Sequence, residues 1–261
     1  MGEFEIIFLG TGTSQGVPII GCNCDTCISC DPRNHRLRAS ILLKTEEVHL
    51  IVDTPPDFRT QCLREDIRRV DAVLYTHTHT DHIMGFDDLR RFCEMSDSDL
   101  PVYGVPQTLT DLKRIFGYAF DGSHSFLKNY MRALPREILG EFVLGDLRIV
   151  PVPLPHGKFT TIGFVFYQGK RKVLAYYTDC GEVPPAAADA ARGAEVLVLD
   201  ALRHVPHPTH LTVEAALEVA QHVEVATCYF THMSHDLKHK DTEASLPPGI
   251  LLAYDGLRVR I

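Results

Sequence analysis

The segment Thr76-His77-Thr78-His79-Thr80-Asp81-His82 places three imidazoles and a carboxylate within six residues. No packing role asks for this composition: histidine is intermediate in its tendency to be buried, and a buried aspartate needs a partner. Neutral imidazole and carboxylate together suit borderline divalent cations such as Zn, Mn, Fe or Ni. Ala72 to Tyr75, just before the cluster, is an apolar run with strand character. A surface loop rich in His and Thr is the plain alternative, and the strand in front of the cluster argues against it.

The elements around the cluster divide it. His77 and His79 are two residues apart, so on extended backbone they point to the same side and can share one cation. Asp81 and His82 fall where the chain turns into a helix predicted around Met84 to Phe92, so they project differently and can serve a second cation. Two such ions, typically about 3.5–4 Å apart, clamp both the attacking and the leaving oxygen of a displacement.

His77-x-His79-x-Asp81-His82 resembles the signature of the metallo-β-lactamase superfamily. The resemblance implies a mixed α/β fold, a four-layer αββα sandwich, and a hydrolase with two divalent cations. It extends over essentially the whole chain, because later residues of the pattern also occur in order.

Three further candidates each follow a predicted strand: His156 in Pro155-His156-Gly157, Asp179 in Thr178-Asp179-Cys180, and His232 in Thr231-His232-Met233. A lone strand-end His or Asp is ordinarily a satisfied polar group or a cap. The resemblance implies that His156 completes the site of His77 and His79, that Asp179 bridges the two ions, and that His232 completes the site of Asp81 and His82. Cys180 complicates Asp179, since some lactamases use a Cys for the second metal, but the Thr-Asp pattern is closer to the Asp-bridged hydrolases. Asp53, at the end of Leu50-Ile51-Val52, either orients a ligand histidine or caps the helix after it.

A second candidate centre is Cys22-x-Cys24-x2-Cys27. Three thiolates at this spacing are three quarters of a tetrahedral structural zinc site. Chance clustering is the alternative, and the fourth ligand is either Cys30 or a distant His such as His235. The Cys loop together with a His just beyond the last active-site His resembles the PhnP family of cyclic phosphodiesterases, which implies Cys22, Cys24, Cys27 and His235 as the ligands. Cys30 is then a spare thiol, and Cys62, Cys93, Cys180 and Cys228 act as small apolar residues.

The same resemblance assigns His210, before the helix that Thr212 and Glu214 begin, as general acid to a leaving oxygen, with Asp81 beside it in the catalytic set. Helix-terminus structure around Thr209 and Thr212 is the alternative for His210. Asp200 is expected to orient His210 or a ligand, and His204 and His207 to line a loop at the rim. The implied reaction is in-line attack by a metal-held hydroxide on a small, cyclic phosphodiester, such as a ribosyl 1,2-cyclic phosphate or a cyclic nucleotide. The implied cofactors are two divalent ions in the active site, Mn or Zn before Fe or Ni, and one structural Zn. Rival functions on the same fold are tRNA 3′ processing, thioester or lactam hydrolysis, and a non-enzymatic metal-bound sensor.

Composition bounds the rest. The 261 residues suit one domain over 1–261, with β-rich halves near 1–136 and 137–261, and are 45% hydrophobic. No apolar run reaches the roughly 18 residues of a membrane span, so no membrane association is expected. The N-terminus lacks a secretory pattern, and eight cysteines without one point to a reducing, cytoplasmic setting. A net charge of −8 argues against a broad nucleic-acid-binding face. The expected partner is a small phosphodiester, and a homodimer is allowed.

Strands are expected at Glu5–Leu9, Ser40–Lys44, Val48–Asp53, Pro101–Gly104, Leu147–Val152, Thr161–Tyr167, Lys172–Tyr177, Glu195–Asp200 and Ala226–Phe230. Helices are expected over Pro56–Asp66, Pro106–Tyr118, Pro184–Arg192 and Leu211–His222. The turn Gly10 to Gly16 either offers N–H groups to an anion or is a tight turn at a crowded site. Phe120 to Glu137 reads as an irregular lid or insertion, and Ile250–Ala253 with Leu257–Ile261 as a terminal hairpin.

Overall fold

The computed structural model describes residues 2–122 and 129–261. In chain order the first strands and helices are β1 (Glu5–Gly10), β2 (Ser40–Lys44), β3 (His49–Val52), α1 (Phe58–Arg64), β4 (Ala72–Leu74), α2 (Thr80–Ile83), α3 (Arg90–Ser96), β5 (Leu100–Gly104), α4 (Pro106–Ile115) and β6 (Ala133–Glu137). The second series is β7 (Phe142–Leu144), β8 (Leu147–His156), β9 (Phe159–Gln168), β10 (Arg171–Tyr177), α5 (Pro185–Ala191), β11 (Val196–Asp200), α6 (Val213–Val223), β12 (Thr227–Thr231), α7 (His239–Glu243), β13 (Ile250–Leu252) and β14 (Arg258–Arg260).

Two seven-stranded sheets result, in the orders β14-β1-β2-β3-β4-β5-β6 and β13-β12-β11-β10-β9-β8-β7. Each is antiparallel at one end and parallel at the other: β1–β3 and β7–β10 pair antiparallel, β3–β6 and β10–β13 parallel. The two-residue side-chain period then sorts the core into three layers. Ile6, Phe8, Ile41, Leu43, Leu50 and Leu74 of one sheet meet Ile149, Phe164, Phe166, Leu174 and Val198 of the other between the sheets. The alternate residues Ile7, Leu42, Ile51 and Val73 face outward onto Phe58 of α1, Phe92 of α3 and Leu109 and Leu112 of α4. Val165, Ala175, Leu197 and Leu199 do the same against Ala187, Ala188 and Ala191 of α5 and Val213, Ala216 and Ala220 of α6. This is the expected αββα sandwich.

Local signals set the helices. Thr212 caps α6, its Oγ1 accepting from the Ala215 N–H at 3.1 Å, and Val213, Ala216, Ala220 and Val223 form one buried stripe. Pro106 and Pro185 open α4 and α5 at their first turns, where a missing N–H is harmless.

Three expectations need correction. The terminal hairpin does not form: β13 joins β12 in one sheet and β14 joins β1 in the other, so the Asp255-Gly256 turn passes the chain between sheets. The 120–137 segment is not wholly irregular, because Ala133–Glu137 is edge strand β6, paired parallel with β5; residues 123–128 of that stretch lie outside the described ones. Strand β8 runs to His156, beyond the expected end at Val152. Pro151 lies inside the expected strand and Pro153 and Pro155 beyond it, and all three are odd-numbered. Their missing N–H groups face the edge that β7 leaves open, since β7 pairs only with Leu147–Ile149. Among the described residues no helix is long and apolar enough to cross a membrane.

Candidate active site

The site gathers at the C-terminal ends of the central strands of both sheets, the usual place for ligands in parallel α/β layers. Asp53 follows β3, His77 lies three residues past the end of β4, His79 enters α2, and Asp81 and His82 lie in that helix. His156 ends β8, Asp179 follows β10 by two residues, Asp200 ends β11 and His232 follows β12. Asp53, Asp179 and His232 have φ of 63°, 52° and 59°, left-handed backbone that few non-glycine residues adopt. Such strain is held where the surroundings over-determine a residue, and here it turns three strand ends inward.

The side chains form two groups of donor atoms lying within 4.8 Å of one another: His77, His79 and His156, and Asp81, His82, Asp179 and His232. Asp179 stands between them. Its Oδ1 is 3.3 Å from His82 Nε2, and its Oδ2 is 3.3 Å from His232 Nε2 and 3.9 Å from His77 Nε2. Asp81 Oδ2 is 3.4 Å from His82 Nε2 and 3.7 Å from His232 Nε2. These separations are those of atoms that surround a common centre. Among the described residues, the buried Nε2 atoms of His77, His82 and His232 have no hydrogen-bond partner. Orphaned buried polar atoms are rare in folded chains, and here they face carboxylates, so the donor set fits divalent cations.

Hydrogen bonds behind these side chains fix which nitrogen faces the centre. Thr76 donates to Asp53 from its N–H at 2.9 Å and from Oγ1 at 2.7 Å. With its proton so used, Thr76 Oγ1 accepts from His77 Nδ1 at 2.9 Å, which frees His77 Nε2. His82 Nδ1 donates to Asp53 Oδ2 at 2.7 Å, and His156 Nδ1 to the Thr209 carbonyl at 2.8 Å. Thr178 Oγ1 donates to Asp179 Oδ1 at 2.8 Å. Asp53 therefore orients His77, through Thr76, and His82 directly. It does not cap α1. Asp53→Ala should weaken metal affinity by roughly 10–100-fold, read by competition with a chelator, with little change in the far-ultraviolet dichroism.

Charge distribution agrees with this arrangement. Burial pushes His77 well below the ordinary imidazole value and lowers His79 and His156 as well, which keeps them in the neutral, ligating form. Burial opposes charge on His82 too, but the carboxylates of Asp179, Asp81 and Asp53 outweigh it and hold its pKa well above the usual value. Three carboxylates thus demand positive charge at this point, which is what a divalent cation supplies.

His210 lies at the edge of both groups. Its ring stacks on His232 at 4.7 Å and meets His156 at 4.8 Å. Its Nδ1 donates to Asp200 Oδ2 at 2.7 Å, and burial, which opposes protonation, is outweighed by that carboxylate, so its pKa rises to about 9. Asp200 Oδ1 is 3.9 Å from His232 Nδ1, too far to bond it. Asp200 thus holds His210 rather than a ligand. His204 pairs with Glu214 at 2.6 Å, and His207 Nδ1 lies 3.1 Å from Thr209 Oγ1, so both sit on the loop leading to His210.

The second centre also assembles. His235 Nδ1 is 3.4, 3.4 and 3.6 Å from the sulfurs of Cys22, Cys24 and Cys27. A tetrahedral zinc with ordinary bond lengths spaces sulfur and nitrogen by about 3.6 Å. Cys30 is exposed and outside the group, which decides between it and His235. The Cys24 thiol is lowered to about 6, first by the backbone of Cys27, whereas burial lifts Cys27 to about 11. Cys24→Ser should remove one metal per chain and keep part of the activity; elemental analysis of the purified variant checks it. Cys180, Cys93 and Cys228 are buried, and burial raises the thiol pKa of each. Cys62 is half-buried. In the Gly10–Gly16 turn the N–H groups of Gly12, Thr13 and Gly16 donate to Leu37 O, Met233 O and Thr13 O. It is therefore a tight turn, and a Cβ on Gly10 would lie 2.0 Å from Arg38 O.

Sequence patterning did not single out Thr76 or Arg36, and it used Thr178 only as part of the Thr-Asp pattern, not as a donor to Asp179. The two threonines each directly precede a site residue at a strand end, which is the signal that could have found them. Arg36 is 1% exposed and donates to the carbonyls of Ser234 at 2.8 Å and Leu237 at 2.6 Å, holding the segment that bears His232 and His235. Nothing in its sequence context marks it.

Comparison with known proteins agrees with the fold. The family described as Beta-lactamase superfamily domain matches residues 49–233. A solved diphosphatase from the PhnP family superposes with a TM-score of 0.91 at 39% identity, over 99% of this chain and 97% of that one. An octanoyltransferase of Porphyromonas gingivalis is 33% identical over 98% of this chain, which spans only 51% of that relative's length. Ribonuclease Z of Methanopyrus kandleri is 26% identical over 99% of this chain and 98% of its own. The chain belongs to the metallo-β-lactamase superfamily and, within it, to the PhnP family.

Proposed function

We propose that the protein is a phosphodiesterase that hydrolyses a small phosphodiester with the help of two divalent cations. The observation that supports this best is Asp179 standing between two sets of donor atoms, in which the buried Nε2 atoms of His77, His82 and His232 are unpartnered, with His210 beside them. His77, His79 and His156 would hold one cation, Asp81, His82 and His232 the other, and Asp179 both. When bound, the pair supplies charge neutralisation at phosphoryl oxygens and acidifies water. Among the chain's own residues, Asp53, Thr76, Thr178 and the Thr209 carbonyl hold ligand atoms in place. His210, backed by Asp200, gives its proton to the departing oxygen. Cys22, Cys24, Cys27 and His235 would hold a structural zinc, the ion that thiolate-rich tetrahedral sites favour.

A second substrate class is a small diphosphate, favoured by the activity in the name of the PhnP-family relative. It asks for the same phosphoryl chemistry. A substrate panel at matched metal content tests both. A cyclic phosphodiester, a small diphosphate, a precursor tRNA, an acyl thioester and a lactam are compared by kcat/KM. Highest efficiency on the cyclic phosphodiester supports the proposal, and highest efficiency on the diphosphate supports the second class in its place. Highest efficiency on the tRNA, the thioester or the lactam overturns both.

A further inference from the structure

Phe159 is 63% exposed and belongs to none of the three core clusters, although β9 is buried from Thr161 to Phe166. It sits at the tip of the β8–β9 hairpin, paired with His156 across Gly157-Lys158. Its ring meets that of His79 nearly edge-on, at 5.2 Å and 81°. The tip is firmly held. Gly157 has φ of 63°, and a Cβ there would lie 2.6 Å from Thr209 Cγ2, so the tip is packed on the loop that carries His210. The His156 Nδ1 bond to the Thr209 carbonyl ties the same two segments. A solvent-facing aromatic ring on a tethered hairpin tip thus borders the donor cluster. Lys158 beside it is exposed and has no carboxylate partner among the described residues.

Exposing a phenylalanine does nothing for folding, and a flat ring beside a phosphoryl site suits a flat substituent. We propose that Phe159 contacts the substrate and selects a phosphodiester that carries a nucleobase, which stacks on its ring. The selection rests on the phosphodiesterase function above. It goes further by naming the organic group next to the scissile phosphate. A merely structural role, in which Phe159 only props His79, is the competing explanation.

Two probes with the same five-membered cyclic phosphate separate these outcomes: adenosine 2′,3′-cyclic phosphate, and glycerol 1,2-cyclic phosphate, which has no base. In Phe159→Ala, KM for the nucleotide should rise roughly 5–100-fold, the range that base–aromatic stacking supports, with kcat, metal content and the glycerol KM unchanged. Phe159→Trp should restore the nucleotide KM. By calorimetry, adenosine monophosphate should bind Phe159→Ala more weakly, whereas inorganic phosphate should bind both forms equally. Equal losses on both substrates, or lost metal, would show that Phe159 only positions His79 and would overturn the proposal. An unchanged nucleotide KM would do the same. If wild-type protein turns over neither cyclic phosphate, the phosphodiesterase function itself fails, and the proposal falls with it.

Discussion

His210→Ala is expected to lower turnover of an unactivated diester by roughly 10²–10⁴-fold, the usual contribution of a positioned proton donor. An alkoxide leaves poorly without a proton, and the Nδ1 of His210 is committed to a buried carboxylate, Asp200, at 2.7 Å. The bond leaves the other nitrogen free, and His210 is grouped with His156 and Asp179 on one side and with Asp200 and His232 on the other. Two measurements separate an acid from a ligand. Metal content of the variant should equal that of the wild type, and a nitrophenyl diester, whose leaving group departs unprotonated, should lose far less rate than an alkyl one. Loss of a metal ion, or equal losses on both esters, would contradict the role of acid.

Arg36→Met should be the most damaging single change outside the donor cluster. The guanidinium is buried and donates to two carbonyls, those of Ser234 and Leu237. Deleting it leaves the Leu237 carbonyl buried and unpaired, at about 1–3 kcal/mol, and leaves the Ser234 carbonyl with only the Leu237 N–H at 3.4 Å. That cost is a sizeable share of the typical 5–15 kcal/mol stability of a domain. Because His232 and His235 flank the same segment, metal should be lost from both centres together. Thermal unfolding and elemental analysis of the variant check this. A variant that keeps wild-type stability and all its metal would show that the segment is held by other contacts. Arg36→Lys, with one ammonium in place of a planar fork, should fall between the two.

Much of the site was legible because its chemistry is written in residue types that packing does not request. His77 to His82 declared itself, and His156, Asp179 and His232 could be placed because each closes an apolar run. His235 was legible only beside Cys22, Cys24 and Cys27, since one histidine among 14 carries no mark of its own. What sequence left open depends on which side chains meet in space. Asp53 reads equally as a helix cap or an orienting carboxylate until Thr76 and His82 are seen to bond it. Asp200 reads as a partner of His210 or of a ligand until the distances of 2.7 and 3.9 Å separate the two. The fold was legible where alternation and continuous apolar runs fixed the strands. It failed where one signal had two meanings. The prolines of β8 look like breakers and are edge residues, and the Asp255-Gly256 turn looks like a hairpin and connects two sheets.

Hydrolysis of adenosine 2′,3′-cyclic phosphate in water enriched in ¹⁸O, followed by ³¹P magnetic resonance, tests the central claim most directly. The arrangement of Asp179, the flanking histidines and His210 predicts a nucleoside monophosphate product with a single ¹⁸O on phosphorus, formed at a rate that falls on chelation and returns with added divalent metal. Metal-replete protein that leaves the diester intact, or label found on the sugar oxygen instead of phosphorus, would contradict it.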